Sequence, residues 1–202
     1  MGVADRRARE FQRREEDIIH AAFDLFAEYG IEYVTIDMIA EKAEVGKGTI
    51  YKHFTSKNDI FAILITRQGN DLIEKLKAVP SDAPVMVQIK KTMRIFWDLN
   101  VNDVRKFAVY RKCDHLLLMD DMAPEILLEF EKQSNLKNQF IRDLIQKAVD
   151  EQIFKEDSVD NFAAAAVGLF YGVFDMILSG EAEPSDALYN LLESMIFKGF
   201  MR

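Results

Sequence analysis

Apolar and polar residues follow one another with helical spacing along most of the chain. Between Arg13 and Tyr29, apolar residues recur every three to four positions, which predicts an amphipathic helix that Gly30 is suited to end. The same spacing predicts further helices at about 36–43, 47–54, 56–77, 85–99, 104–118, 124–152, 159–178 and 184–200. Because no segment shows the period-two alternation of a β-strand, we expect an all-α fold.

Two of these helices are short and are joined by a tight turn. Thr35 can cap the first one with its hydroxyl, and the apolar residues after it predict one buried face. Gly46 supplies the conformational freedom that the turn needs. In the second helix, Ile50 and Phe54 are predicted to face inward. This arrangement is a helix-turn-helix, whose second helix can enter the major groove of DNA.

The outward side of the second helix carries side chains that suit contacts with DNA. Lysine, threonine, tyrosine and histidine can reach phosphates and base edges, and they are predicted to point outward at Lys47, Thr49, Tyr51, Lys52 and His53. Gly48 would either let DNA approach closely or relieve crowding. The sequence SKND at 56–59 then predicts a capping box that opens a long helix.

The run TIDMIAEKAEVGKGTIYKHF at 35–54, followed by SKND, resembles the DNA-binding signature of the TetR (tetracycline-repressor) family of bacterial regulators. The resemblance extends over roughly 13–64. It implies a three-helix helix-turn-helix DNA-binding domain at 1–56 and a helical ligand-binding and dimerisation domain at 57–202. The candidate DNA-binding residues are Thr35, Lys47, Gly48, Thr49, Tyr51, Lys52, His53 and Lys57. The resemblance does not directly support Lys52, because many relatives carry an aromatic residue at that position.

Charge is distributed unevenly between the two predicted domains. The formal net charge is −8, yet residues 44–57 carry three lysines against the single acid Glu44. Salt confines electrostatic attraction to roughly 8–10 Å, so the charge of this local patch affects DNA binding more than the net charge of the whole chain does. Residues 1–12 are predicted to form a mobile arm, in which Arg6, Arg7 and Arg9 either contact DNA or remain solvated.

The predicted C-terminal domain is rich in aromatic residues at helical spacing. The family resemblance implies that its helices enclose a pocket for a small molecule, and an apolar or aromatic ligand would fit such a lining. The candidate pocket residues are Phe96, Trp97, Phe107, Tyr110, Arg111, His115, Phe130, Phe140, Phe170 and Phe174. The alternative is that the aromatic residues fill an ordinary core and that the polar residues lie on a solvated face.

The resemblance also implies that the last two helices pair with those of a second copy in a four-helix bundle. The apolar residues that would form this homodimer interface are Phe170, Phe174, Leu178, Leu188, Leu192, Met195 and Ile196. Two-fold symmetry would match a palindromic operator with half-sites about 34–36 Å apart, or a multiple of that spacing. Burial of these residues within one chain is the alternative.

Enzyme motifs are not found in the sequence. The run GKGT at 46–49 resembles the end of a phosphate-binding loop, but Glu41 stands where that motif requires glycine. The three histidines and the single cysteine, Cys113, lack metal-ligand spacing, so we expect no metal, no cofactor and no catalysis. One cysteine permits no intrachain disulfide, and neither a signal peptide nor an apolar run of ~18 residues is found. These features predict a cytoplasmic protein with no membrane partner.

The sequence therefore predicts a ligand-responsive transcriptional regulator, most simply a repressor. It would bind double-stranded operator DNA as a homodimer and be released by a small apolar or aromatic effector. Two alternatives remain open at this stage. One is a DNA-binding regulator controlled by a partner without any small ligand, and the other is a helical ligand-binding or scaffold protein that does not bind DNA.

Overall fold

The computed structural model describes residues 2–111 and 124–202, without the side chains at positions 3, 4, 110, 111 and 126. Within these ranges the chain forms helices joined by short loops, and no β-strand is present. The prediction of an all-α fold is confirmed. The helices are α1 (Val3–Tyr29), α2 (Ile36–Lys42), α3 (Lys47–His53), α4 (Lys57–Lys77), α5 (Val85–Val101), α6 (Val104–Arg111), α7 (Pro124–Asp150), α8 (Val159–Leu178) and α9 (Asp186–Phe200).

The described residues pack into two compact units. The first unit comprises residues 1–68 with 108–131, and the second comprises residues 69–107 with 132–202. Helix α4 therefore supplies its first part to one unit and its second part to the other. This division concerns packing alone, and the functional domain boundary at residue 56 stays a prediction.

Helix α1 begins at Val3 and not near Arg13, so most of the segment 1–12 that was predicted to be a mobile arm is helical. Its mobility and its contact with DNA stay predictions. The segment is rich in alanine, arginine, glutamate and glutamine, which have high helix propensity. The amide of Gly2 donates to Asp5 Oδ2 at 3.1 Å, and Glu10 and Arg14 form an ion pair of 3.1 Å one turn apart. The three arginines at positions 6, 7 and 9 therefore lie on a helix and not on an extended segment.

A single apolar core holds the helices of the first unit together. On the apolar side of α1, Ile18, Ala22, Leu25 and Phe26 are buried, whereas Tyr29 at the end of the helix is 48% exposed. The other helices contribute the buried residues Ile39, Ala40, Ile50, Phe54, Ile60, Phe61 and Ile65. The inward orientation predicted for Ile50 and Phe54 is confirmed, since they are 0% and 3% exposed.

The turn between α2 and α3 owes its shape to Glu44 and not to Gly46. Gly46 has φ −71°, which any residue adopts, whereas Glu44 has φ 54° in the left-handed region. The amide of Val45 donates to the Ala40 carbonyl at 2.9 Å, and the amide of Glu44 donates to the Glu41 carbonyl at 3.1 Å. These bonds form a Schellman motif, in which glycine is the usual left-handed residue. The predicted role of Gly46 as the source of conformational freedom is therefore wrong.

The predicted capping box at the start of α4 is confirmed. The amide of Asp59 donates to Ser56 Oγ at 3.1 Å, and the amide of Ser56 donates back to Asp59 Oδ2 at 3.1 Å. Asp59 also accepts from the amide of Thr55 at 2.9 Å and from its hydroxyl. The Asp59 side chain is 1% exposed and is fully engaged in this cap, which sets the position where α4 leaves the helix-turn-helix.

The second unit has its own core, built mainly by α5, α8 and α9. Trp97 of α5 lies at its centre, 2% exposed, with its ring centroid 5.6 Å from those of Phe174 and Tyr189. Ser158 and Ser185 cap α8 and α9 through their hydroxyls, which accept from Asn161 N and Leu188 N. The last helix therefore starts two residues after Pro184, which was predicted to open it, and Ser185 is its N-cap.

The strained turn residue gives a stability prediction. We expect Glu44→Gly to raise the free energy of unfolding by about 0.5–1 kcal/mol, because glycine adopts positive φ without steric cost. Urea unfolding followed by circular dichroism measures the change. The matched control is Glu41→Gly, an exposed glutamate inside α2, which we expect to lower stability by about 1 kcal/mol. A loss of stability in both variants would contradict the role assigned to Glu44.

Candidate nucleic-acid interface

Helix α3 presents a polar face to solvent and an apolar face to the core. Lys47, Gly48 and Lys52 are exposed, Thr49 is half-buried, and Tyr51 is 53% exposed. The predicted base-contacting and phosphate-contacting side chains at these positions are thus brought together on one accessible surface. An ideal Cβ at Gly48 would meet no atom within 4 Å, so Gly48 does not relieve crowding within the chain. Close approach by DNA, the other role considered for Gly48, stays a prediction.

Lys47, the predicted base contact, is paired within the protein. Its ammonium lies 2.9 Å and 3.0 Å from the two carboxylate oxygens of Asp37, at the start of α2. The hydrogen bond to Asp37 and its negative charge raise the pKa of Lys47. Both side chains are exposed, so this pair is weak and can be exchanged for another anion. The arrangement holds the lysine over the α2–α3 surface while leaving it accessible.

Thr35 and Lys57 organise the loop that precedes α2. The Thr35 hydroxyl accepts from the amide of Met38 at 3.2 Å, which confirms the predicted N-cap. The Lys57 ammonium donates to the carbonyl of Val34 at 2.8 Å and to that of Ile31. Burial lowers the pKa of Lys57. Lys57 therefore ties the start of α4 to the α1–α2 loop, and the phosphate contact that the resemblance implies for it stays a prediction.

His53, the last residue of α3, faces the protein interior. Its side chain is 2% exposed, and its ring stacks on that of Phe11 with centroids 3.8 Å apart and planes 26° apart. Sequence reasoning did not single out Phe11, although the residue stands seven positions before Ile18 and continues the apolar stripe of α1. The phosphate contact predicted for His53 remains untested, but the ring is covered in this structure.

The candidate ligand residues are divided between the two units. Phe96, Trp97, Phe107, Phe170 and Phe174 come together in the second unit, where Phe107 and Phe174 have ring centroids 4.9 Å apart. Phe140 packs at the edge of the same cluster, whereas Phe130 packs against the core of the first unit. The side chains of Tyr110 and Arg111 and the whole of His115 lie outside the described residues.

The residues predicted for the dimer interface lie mostly inside their own chain. Phe170, Phe174, Leu192 and Ile196 are at most 4% exposed, Leu178 and Leu188 are half-buried, and only Met195 is largely exposed, at 53%. The other exposed large apolar side chains of α8 and α9 are Leu169, Met176 and Leu191, none of which was predicted for the interface. Ala164, Ala165, Gly168 and Gly172 of α8 are exposed as well. This exposed surface of α8 and α9 is called the outer face below.

Helix α8 is apolar on both sides. Of the helices that the structure describes, it alone is long and apolar enough to span a membrane, a judgement of length and composition only. Its inner side packs Phe162, Phe170, Phe174 and Ile177 into the core of the second unit. The buried core helix of a globular domain passes the same test, and the outer face is the part that its own chain leaves uncovered.

The structure thus defines a helix-turn-helix with an accessible polar helix. The family model described as "Bacterial regulatory proteins, tetR family" matches residues 18–64. An HTH-type transcriptional regulator from Staphylococcus aureus (strain bovine RF122 / ET3-1) is 36% identical over 73 residues, which are 36% of this chain and 38% of the relative. The chain therefore matches about two fifths of the length of this relative.

Solved structures resemble the chain over almost its whole length. The fatty acid degradation regulator FadR from Bacillus halodurans has a TM-score of 0.75 at 19% identity and covers 92% of this chain and 95% of its own. The ketosteroid transcriptional regulator KstR2 of Mycobacterium tuberculosis has a TM-score of 0.76 at 16% identity, with coverage of 94% and 95%. At these identities the likeness concerns the fold. The match to the tetR family model is thus confined to residues 18–64, and the likeness over the rest of the chain shows the fold.

The contacts of Lys57 give a testable consequence. Lys57→Met keeps the aliphatic stem but leaves the carbonyls of Ile31 and Val34 without their donor. We expect the free energy of unfolding to fall by about 1–2 kcal/mol. Lys52→Met, which removes an exposed lysine nearby, should change it by less than about 0.5 kcal/mol. Denaturant unfolding compares the two, and equal stability of the variants would show that the ammonium does not anchor the loop.

Proposed function

We propose that the protein is a transcriptional regulator that binds operator DNA through α3 and is released by a small ligand. The observation that supports this most directly is the geometry of α3. Its apolar side is fully buried, and its exposed side carries Lys47, Thr49, Tyr51 and Lys52 around a glycine with open space in front of it. A rigid helix with donors on an accessible surface suits the major groove.

Some of these polar groups would contact base edges and others would contact backbone phosphates. Lys47 can donate to guanine O6 and N7 once it exchanges Asp37 for DNA, and Thr49 can reach a neighbouring base edge. We expect Tyr51, Lys52 and the N-cap Thr35 to contact backbone phosphates, which would position the helix without reading sequence. The short α3 alone offers a small interface, since seven residues span about 10 Å. Tight specific binding therefore calls for two copies of the chain.

Dimerisation through α8 and α9 supplies the second copy. The outer face combines Ala164, Gly168 and Gly172, spaced one turn apart, with the exposed side chains of Leu191 and Met195. Small residues let helices approach closely, and the larger apolar side chains would leave water on pairing. We propose a homodimer with this face at its centre, reading a palindromic operator in the cytoplasm as a repressor.

The small ligand that causes release of DNA would bind in the second unit. The aromatic residues around Trp97 provide an apolar environment suited to an apolar or aromatic effector. A ligand that binds preferentially to a state with misspaced α3 helices shifts the population away from the DNA-competent state. Helix α4 contributes residues to both packing units and is the natural connection for this coupling.

Selection from a random double-stranded DNA library tests the proposal. We expect the purified protein to enrich a palindromic site, with an affinity that falls steeply with salt and a complex mass of at least two chains. On that site, Lys47→Ala should reduce discrimination against a substituted base pair by about tenfold. No enrichment at low salt would contradict DNA binding. A site that binds tightly but does not respond to any compound in an apolar and aromatic library would favour control by a partner.

Removing the ion pair between Lys47 and Asp37 should raise the affinity of the protein for non-specific DNA. Asp37→Asn removes a negative charge beside Lys47 and frees the ammonium for phosphates. We expect binding to a scrambled duplex to strengthen about two- to fivefold at low salt, and the difference to shrink as salt rises. Asp17→Asn on the exposed side of α1 changes net charge equally and serves as control. An equal effect of both variants would assign the gain to overall charge.

A further inference from the structure

We propose that Phe11 is a positioning residue that pins the end of the recognition helix α3 by stacking on His53. The inference rests on the proposed DNA binding and concerns how α3 is held in its reading orientation. Phe11 lies in the part of α1 before residue 18, outside the segment that the family model matches. The stack thus joins the N-terminal part of α1, outside the matched segment, to α3 inside it.

The two rings are in direct face-to-face contact. Their centroids are 3.8 Å apart and their planes differ by 26°, so the two rings are stacked. The His53 side chain is 2% exposed, while Phe11 is 46% exposed. Phe11 therefore forms a partly solvated cover over the imidazole, and removing its ring would open one side of it.

Other groups on α1 and α4 complete the surroundings of His53. Glu15 Oε2 lies 3.8 Å from His53 Nδ1, and Glu15 Oε1 lies 3.7 Å from an Arg67 nitrogen. Arg67 also donates to Glu16 at 2.6 Å, and this bond lowers the pKa of Glu16. The His53 Nδ1 atom is buried and makes no hydrogen bond to the described residues. Stacking and close packing, rather than a hydrogen bond at Nδ1, hold the ring.

The position of His53 in the chain explains what the contact does. Lys47 and His53 are the first and last residues of α3, and Ile50 anchors its middle in the core. Ile50 and Phe54 hold one side of α3 against the core, and a further contact at His53 would restrict rotation and tilt of the helix about that side and so set the direction of Thr49 and Tyr51. The stack with Phe11, which belongs to the long helix α1, is that further contact.

This role differs from the direct phosphate contact that the family resemblance implies for His53. A phosphate contact needs an exposed imidazole N–H, and it would not depend on Phe11. A pin needs a flat ring in the covered site, and it would not depend on the imidazole nitrogens. The two roles therefore make opposite predictions for His53→Phe, which keeps the stack and removes the nitrogens.

The test measures the affinity of five variants for the duplex recovered by the selection and for a scrambled duplex. The variants are Phe11→Ala, Phe11→Tyr, His53→Ala, His53→Phe and the double variant Phe11→Ala with His53→Ala. Leu136→Ala, which truncates a side chain of matched exposure (48%) in the second unit, is the control. Stoichiometric titration gives the active fraction, and amide hydrogen exchange of α3 is followed without DNA.

We expect Phe11→Ala and His53→Ala each to weaken binding of the selected duplex about three- to tenfold, and the double variant to be no weaker than either. Phe11→Tyr should stay within about twofold of the wild type, and His53→Phe should lose less affinity than His53→Ala because it keeps the stack. In the absence of DNA, exchange of the α3 amides should accelerate in Phe11→Ala but not in Phe11→Tyr or Leu136→Ala.

The outcomes separate the pin from the DNA-binding proposal. Unchanged α3 exchange in Phe11→Ala overturns the pin whether or not the protein binds DNA. Loss of binding in His53→Phe with normal binding in Phe11→Ala also overturns it, in favour of a phosphate contact. If the wild type selects no duplex, the DNA-binding proposal fails, and faster α3 exchange in Phe11→Ala would still support Phe11 as the anchor of this helix.

Discussion

Burial of Ile50 and Phe54 in the core of the first unit is the contact on which the polar face of α3 depends. A helix of seven residues is not stable alone in water, because the cost of nucleating it exceeds what so few hydrogen bonds return. Packing against α1, α2 and α4 supplies the missing stabilisation. The same packing decides which side chains of α3 remain exposed. The core of the first unit therefore determines which residues form its candidate DNA-binding surface.

Polar side chains near this surface are largely engaged by the protein itself. Asp59 accepts hydrogen bonds in the cap of α4, Lys57 donates to carbonyls of the α1–α2 loop, and Lys47 forms an ion pair with Asp37. The first two contacts are at least partly buried and fix the geometry of the backbone. The third is exposed and exchangeable. This difference in burial distinguishes side chains that hold the backbone in place from side chains that can leave their partner in the protein and bind DNA. Residue type alone does not reveal the distinction.

Several features were predictable because they depend on neighbours in the chain. The helical periods, the Thr35 cap, the capping box of α4 and the inward side of α3 all follow from spacing and from short-range hydrogen bonds. The start of α1 was missed because a polar sequence was taken as unstructured, although its residues have high helix propensity. The turn after α2 was misassigned because glycine is the usual left-handed residue, and here the Schellman motif holds Glu44 in that conformation.

By itself, the sequence determined the all-helical class, the helix-turn-helix and the set of side chains offered on α3, because periodicity and capping act over a few residues. Only the tertiary structure decided that His53 is covered by Phe11, that Lys57 holds a loop, and that Phe170 and Phe174 face their own core. These outcomes depend on which distant segments meet. An apolar residue on a two-sided apolar helix such as α8 satisfies the same pattern whether it packs inside its chain or against another, and only packing distinguishes the two.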